Sequence, residues 1–116
     1  YGAESQAQEV IRYINGHLGE TLTLEGLAER FFMSKNHLTA LFRQATGTTV
    51  ARYILYKRMV IARKELDLGT PAAEAASRAG FGDYSTFFRA YRKMFGCAPT
   101  DKSAMELPDM DKSGDF

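Results

Sequence analysis

One stretch restricts the fold of this 116-residue chain more than any other. Val50 to Leu68, VARYILYKRMVIARKELDL, wound at about 100° per residue, shows two apolar sides instead of one. Val50, Ile54 and Ile61 gather on one side, Leu55, Met59, Ala62 and Leu66 on nearly the opposite side. A surface helix over a single small core needs one apolar face, so the pattern predicts a long helical strut with a packed unit on each side.

The sequence on either side of the strut supplies two related units. Leu38 aligns with Phe87, Phe42 with Tyr91, Arg43 with Arg92 and Gly47 with Gly96 at a lag of 49, while Ala28 aligns with Ala76 at 48 because the second copy has one extra turn residue. Each copy is too short to enclose a substantial core unaided, which is a physical reason for sharing a strut. The boundaries expected are 1–49 for the first unit, 50–68 for the strut, 69–103 for the second unit and 104–116 for a disordered acidic tail.

In chain order, Ser5 to Leu18 carries Ala7, Val10, Ile11 and Ile14 at helical spacing and stops at Gly16-His17-Leu18-Gly19, which predicts a first helix over the core of the first unit. Thr23 is placed to cap a short helix from Leu24 to Phe31 with Leu24, Leu27, Ala28 and Phe31 inward. Phe32-Met33-Ser34 makes a turn. Ser34 caps a helix from Lys35 to Thr46, with Leu38, Leu41, Phe42 and Ala45 facing the core and Lys35, Asn36, Thr39 and Arg43 outward; Gly47 ends it in the left-handed region. Two short helices joined by a tight turn, the second polar outside, form a helix-turn-helix pattern.

After Gly69, Pro71 starts a thin helix at its first helical position, with Ala72, Ala75, Ala76 and Ala79 along it. Gly80-Phe81-Gly82 turns, with Phe81 as the plug between helices. Asp83 caps a helix from Tyr84 to Phe95 with Phe87, Tyr91 and Met94 inward. Ser85, Thr86, Arg89, Arg92 and Lys93 face out with no acidic residue among them. Such a face suits DNA: a guanidinium meets guanine O6 and N7 with two hydrogen bonds, hydroxyls meet phosphates or base edges, and a helix N-terminus favours a phosphate. A strut of 18 residues spans about 27 Å, near the roughly 34 Å between successive major-groove turns.

The net charge of +1 is consistent with this but hides a division. Residues 101–116 hold five acidic and two basic residues, leaving residues 1–100 with 13 basic against 9 acidic, or +4. No apolar run approaches the roughly 20 residues of a membrane span, and a lone cysteine, Cys97, excludes an intramolecular disulfide framework. Nothing marks export, so a reducing cytoplasm is expected. His17 and His37 lack partners at metal-ligand spacing, no nucleophile, base and orienter can be assembled, and neither a cofactor nor catalysis is expected. The opening Tyr1 points to a piece of a longer polypeptide.

The run Ala76-x3-Gly80-Phe81-x-Asp83-x-Ser85-x-Phe87-x-Arg89-x-Tyr91-Arg92-Lys93-x2-Gly96-x2-Pro99 resembles the DNA-binding domain of the AraC/XylS family of bacterial transcription regulators. Tyr53-Ile54-x3-Arg58-Met59-x2-Ala62 and Ser34-x3-Leu38-x3-Phe42-x4-Gly47 extend the resemblance over residues 5–100. It implies an all-α, homeodomain-like fold of about seven helices: two helix-turn-helix subdomains joined by a long central helix. It places base-reading positions at Asn36, Thr39 and Ala40 in the first unit and at Tyr84, Ser85, Thr86, Phe88 and Arg89 in the second. Lys35, Arg43, Arg58, Arg92 and Lys93 are the expected phosphate contacts.

The partner implied is double-stranded promoter or operator DNA, with RNA polymerase as a candidate second partner and no membrane. The chain alone is expected to be a monomer, and the full-length protein a dimer through a domain outside it. Phe88 stands where the family has a small residue, Ala98 removes the hydroxyl cap before Pro99, and Lys102-Ser103 replace Tyr-Arg, which predicts at most one loose turn there. Phe88 and Ala40 also keep open a helical protein-interaction module without DNA binding. Activation and repression stay open.

Overall fold

The computed structural model describes residues 3–100, and the expectations for residues 101–116 lie outside them. The described chain forms six α-helices and no strand: α1 Ala3–Gly16, α2 Leu24–Arg30, α3 Lys35–Thr46, α4 Val50–Asp67, α5 Ala72–Arg78 and α6 Tyr84–Phe95. It divides into two compact units, with the division between Leu55 and Tyr56, inside α4.

In the first unit α1 and α2 both pack on α3. Ala7, Val10 and Ile14 of α1, Leu27 and Ala28 of α2, and Leu38, Leu41 and Phe42 of α3 are buried, each side chain as large as Leu or Phe being worth about 1.5–3 kcal/mol. The first part of α4 closes this core with Val50, Tyr53 and Ile54. Tyr53 stands edge-on to Phe42, ring centroids 5.3 Å apart, and its hydroxyl donates to Asn15 Oδ1 at 3.1 Å. Burial raises the Tyr53 pKa against that hydrogen bond, so the phenol stays a neutral donor.

In the second unit α5 packs on α6, and Met59 and Ala62 of α4 are buried. Ala75 and Ala76 of α5, its C-cap Ala79, and Phe87, Tyr91 and Met94 of α6 are the other buried residues of this core. An aromatic chain runs through it: Phe81 to Phe87 at 5.1 Å, Phe87 to Tyr91 at 5.7 Å, Tyr91 to Phe95 at 4.4 Å. The corner between α4 and α5 is tied by Glu65, whose Oε1 accepts from Thr70 Oγ1 at 2.9 Å and pairs with Arg78 Nη1 at 2.8 Å. The Thr70 hydroxyl, then Arg78, hold the Glu65 pKa below its usual value.

Several expectations need correction. The first helix starts at Ala3 rather than Ser5 and ends at Gly16, within the expected stop; there the His17 N–H folds back to Ile14 O at 3.0 Å, and Leu18 is buried from a turn. Phe31 is the C-cap of α2, not its last residue, and Leu24 at the opening of that helix is half-buried. Ala45 is exposed although it keeps the helical spacing of the buried Leu38 and Phe42. Pro71 caps α5 from outside, since its ψ of 146° is extended while its carbonyl already accepts from Ala75 N–H at 2.8 Å. Ala72 is only half-buried. Leu68 lies beyond the end of α4 and is 80% exposed. Ile61, Leu55 and Leu66 are half-buried, so Tyr53 contributes more to the core than the apolar count of the strut suggested.

Candidate nucleic-acid interface

Both outer helices are built by the same local chemistry. In the first unit the Schellman-type end of α2 directs Met33 N–H to Ala28 O at 2.8 Å and Phe32 N–H to Glu29 O at 3.2 Å. In the second, Phe81 N–H donates to Ala76 O at 3.0 Å and Gly80 N–H to Ser77 O at 3.1 Å. The capping residues come next. Ser34 Oγ accepts from His37 N–H at 3.0 Å, and Asp83 Oδ1 accepts from Ser85 N–H at 3.3 Å. Gly47 and Gly96 end α3 and α6 at φ of 80° and 76°, where a Cβ is costly.

On α3, Lys35, Asn36, Ala40 and Arg43 are exposed and Thr39 is half-buried. Positions 36, 40 and 43 follow helical spacing and share one outward side with Thr39. Neutral groups occupy its middle, and the two cations stand at the ends of the helix.

On α6, Tyr84, Ser85, Thr86, Arg89, Arg92 and Lys93 are exposed and Phe88 is half-buried. Asp83 organises the first turn: its Oδ2 accepts from the Thr86 hydroxyl at 3.1 Å. That hydroxyl first, then the Ser85 N–H and more weakly the Arg89 charge, hold the Asp83 carboxyl below its ordinary pKa. Thr86 thus donates its hydroxyl hydrogen to the cap and presents a lone pair and a methyl outward. Tyr84 leans on Phe87 at 5.8 Å and Phe88 at 6.2 Å, so the two aromatic candidates brace each other. Arg58, on the part of α4 in this unit, is half-buried, and burial lowers its pKa.

His17 Nδ1 lies 2.7 Å from Tyr13 O and its ring stacks on Tyr13 at 3.9 Å, while His37 is an exposed residue of α3. Among the described residues no three His, Cys, Asp or Glu side chains come together as a metal site would need, and Cys97 is a half-buried free thiol. An open cavity of about 450 Å³ in the second unit, lined by Arg63, Asp67, Thr70, Tyr91 and Pro99 among others, shares no residue with either outer face.

One residue falls outside what the sequence singled out. Phe32 holds a φ of 58° and is 96% exposed, at the turn position that Gly80, φ 96°, fills in the second copy. The lag-48 register that pairs Ala28 with Ala76 also pairs Phe32 with Gly80, and that was the signal available.

The helix-turn-helix domain family model matches residues 27–104. The regulatory protein SoxS of Escherichia coli K12 is 30% identical over 95 residues, covering 81% of this chain and 89% of SoxS. The chain belongs to the AraC/XylS family. Another relative in sequence is the transcriptional activator RhaS of Salmonella arizonae, 30% identical over 99 residues, of whose length this chain spans 36%. In structure, the AraC/XylS-type architecture resembles the C-terminal domain of AraT, a response regulator from Geobacillus stearothermophilus, with a TM-score of 0.75, 30% identity and 81% of this chain and 79% of that one covered. It also resembles the DNA-binding domain of the transcription factor AdpA, solved with a target DNA, with a TM-score of 0.74, 28% identity and 80% and 85% covered. The names of these relatives describe a regulatory protein, a transcriptional activator, a response regulator and a transcriptional factor.

Proposed function

We propose that this AraC/XylS-family chain binds double-stranded DNA as part of a bacterial transcription regulator, with α3 and α6 as recognition helices in successive major grooves. The observation that carries the reading is the duplicated reading head: two capped, glycine-terminated helices with matching turns, each exposing a side free of acidic residues. The DNA complex of AdpA supports it, as does the 18-residue length of α4, about 27 Å of helix.

In this reading Asn36, Thr39 and Ala40 in one head, and Tyr84, Ser85, Thr86, Phe88 and Arg89 in the other, face base edges. Lys35, Arg43, Arg58, Arg92 and Lys93 neutralise phosphates, which fixes register and releases counterions. RNA polymerase as a second partner and dimerisation through a further domain belong to the same proposal, activation being the role that the name of RhaS carries.

The test is a titration of the chain against duplexes from the regulatory region of its own operon and against random duplex, at several salt concentrations. About six phosphate contacts give a log–log slope of affinity against salt near −5, with a specific fragment preferred. Absence of binding at low salt would favour the protein-interaction module instead.

A further inference from the structure

We infer, resting on the DNA-binding reading above, that the two heads read chemically different halves of the operator: α3 selects A·T pairs by an apolar, methyl-seeking surface that includes Phe32, and α6 selects a half containing guanine. The base-facing positions of α3 hold no cation. Asn36 and Ala40 are exposed and Thr39 is half-buried, while Lys35 and Arg43 stand at the helix ends. An asparagine amide matches adenine N6 and N7 with its oxygen and nitrogen together, and alanine and threonine methyls pack on the C5 methyl of thymine; none of these groups has the two-nitrogen donor fork with which a guanidinium meets guanine O6 and N7. The second head does, through Arg89, exposed on α6.

Phe32 supplies the independent observation. Its ring is 96% exposed at a φ that glycine adopts freely, two residues before the Ser34 cap. The backbone there is held by the Phe32 and Met33 N–H bonds to Glu29 and Ala28, which sets the direction of the Cα–Cβ bond, and the side chain stands in solvent. The fold gains nothing from it, and the N-terminal end of a recognition helix is the part that reaches base edges. An apolar ring beside that end fits thymine methyls and sugar faces at the edge of the groove.

The experiment is selection of bound sequences from a random duplex library with the unaltered chain and with Ala40→Arg. The half-site under α3 is the one whose sequence changes between the two selections. The expected result is adenine and thymine only in that half, guanine appearing there with Ala40→Arg, and guanine in the other half throughout. Replacing the thymines of the α3 half by uracil should weaken binding about fourfold per contacted methyl. Phe32→Gly should weaken binding to the thymine duplex severalfold while melting at a higher temperature, which excludes unfolding as the cause. Guanine or cytosine selected under α3 by the unaltered chain, or equal binding of thymine and uracil duplexes, overturns the inference; so does unchanged affinity in Phe32→Gly, which takes the ring out of the interface. Enrichment of no sequence at all contradicts the DNA-reading assignment itself.

Discussion

Replacing Phe32 with glycine should make the protein more stable, against the usual direction for removing an aromatic side chain. At 96% exposure the ring contributes no burial to the folded state, so the transfer free energy of a core phenylalanine is absent. What remains is the backbone: a φ of 58° crowds the Cβ, at a cost of about 1–2 kcal/mol. Glycine adopts that conformation freely, although it loses about 0.5–1 kcal/mol of chain entropy on folding. The balance is a gain of about 0.8 kcal/mol, or roughly 3–6 °C in Tm for a unit of this size. Thermal and urea unfolding of the isolated chain measures it. The mirror control is Gly96→Ala, where a Cβ meets nothing within 4 Å and the φ of 76° alone should cost about 1 kcal/mol. A Phe32→Gly protein less stable than its parent would refute the argument, because it would require a packed ring or a relaxed backbone at this turn.

Other perturbations separate folding from recognition. Phe87→Ala, which empties the centre of the second unit, should cost about 3–5 kcal/mol in equilibrium unfolding. Arg89→Ala should cost about 1–3 kcal/mol of binding to a specific duplex and relax its sequence preference, whereas Lys93→Ala should weaken all duplexes alike; equal losses for both on specific and random DNA would contradict the roles assigned. Glu65 and Asp83 have folded pKa values below their unfolded ones, so their contribution is present at neutral pH and is lost as pH falls through the carboxylate range toward the folded values. Tm measured from pH 7 to 3 should therefore decline, and Glu65→Gln should flatten part of the decline.

The polar caps and terminating glycines were the most legible feature of the sequence, because their chemistry is local: Thr23, Ser34 and Asp83 accept from N–H groups of the first turn, and Gly47 and its repeat partner Gly96 end their helices left-handed. The apolar pattern of the strut was legible only in part: Val50, Ile54, Met59 and Ala62 are buried, whereas Leu55, Ile61 and Leu66 are half-buried. Burial at element edges was not legible. Ala45 keeps the helical spacing of Leu38 and Phe42 yet is exposed, because whether anything covers it depends on neighbours distant in sequence. The engagement of Thr86 with Asp83 depends on a side-chain rotamer that spacing does not determine. At Phe32 the sequence indicates a turn, and only the internal repeat, which pairs it with Gly80, reveals a position of positive φ.

Hydroxyl-radical footprinting of the chain on its selected duplex addresses the paired-head account most directly. The account predicts two protected patches on one face of the duplex, their centres about 10–10.5 base pairs apart, one A·T-rich and one containing guanine. A single protected patch, or two on opposite faces of the duplex, would contradict it.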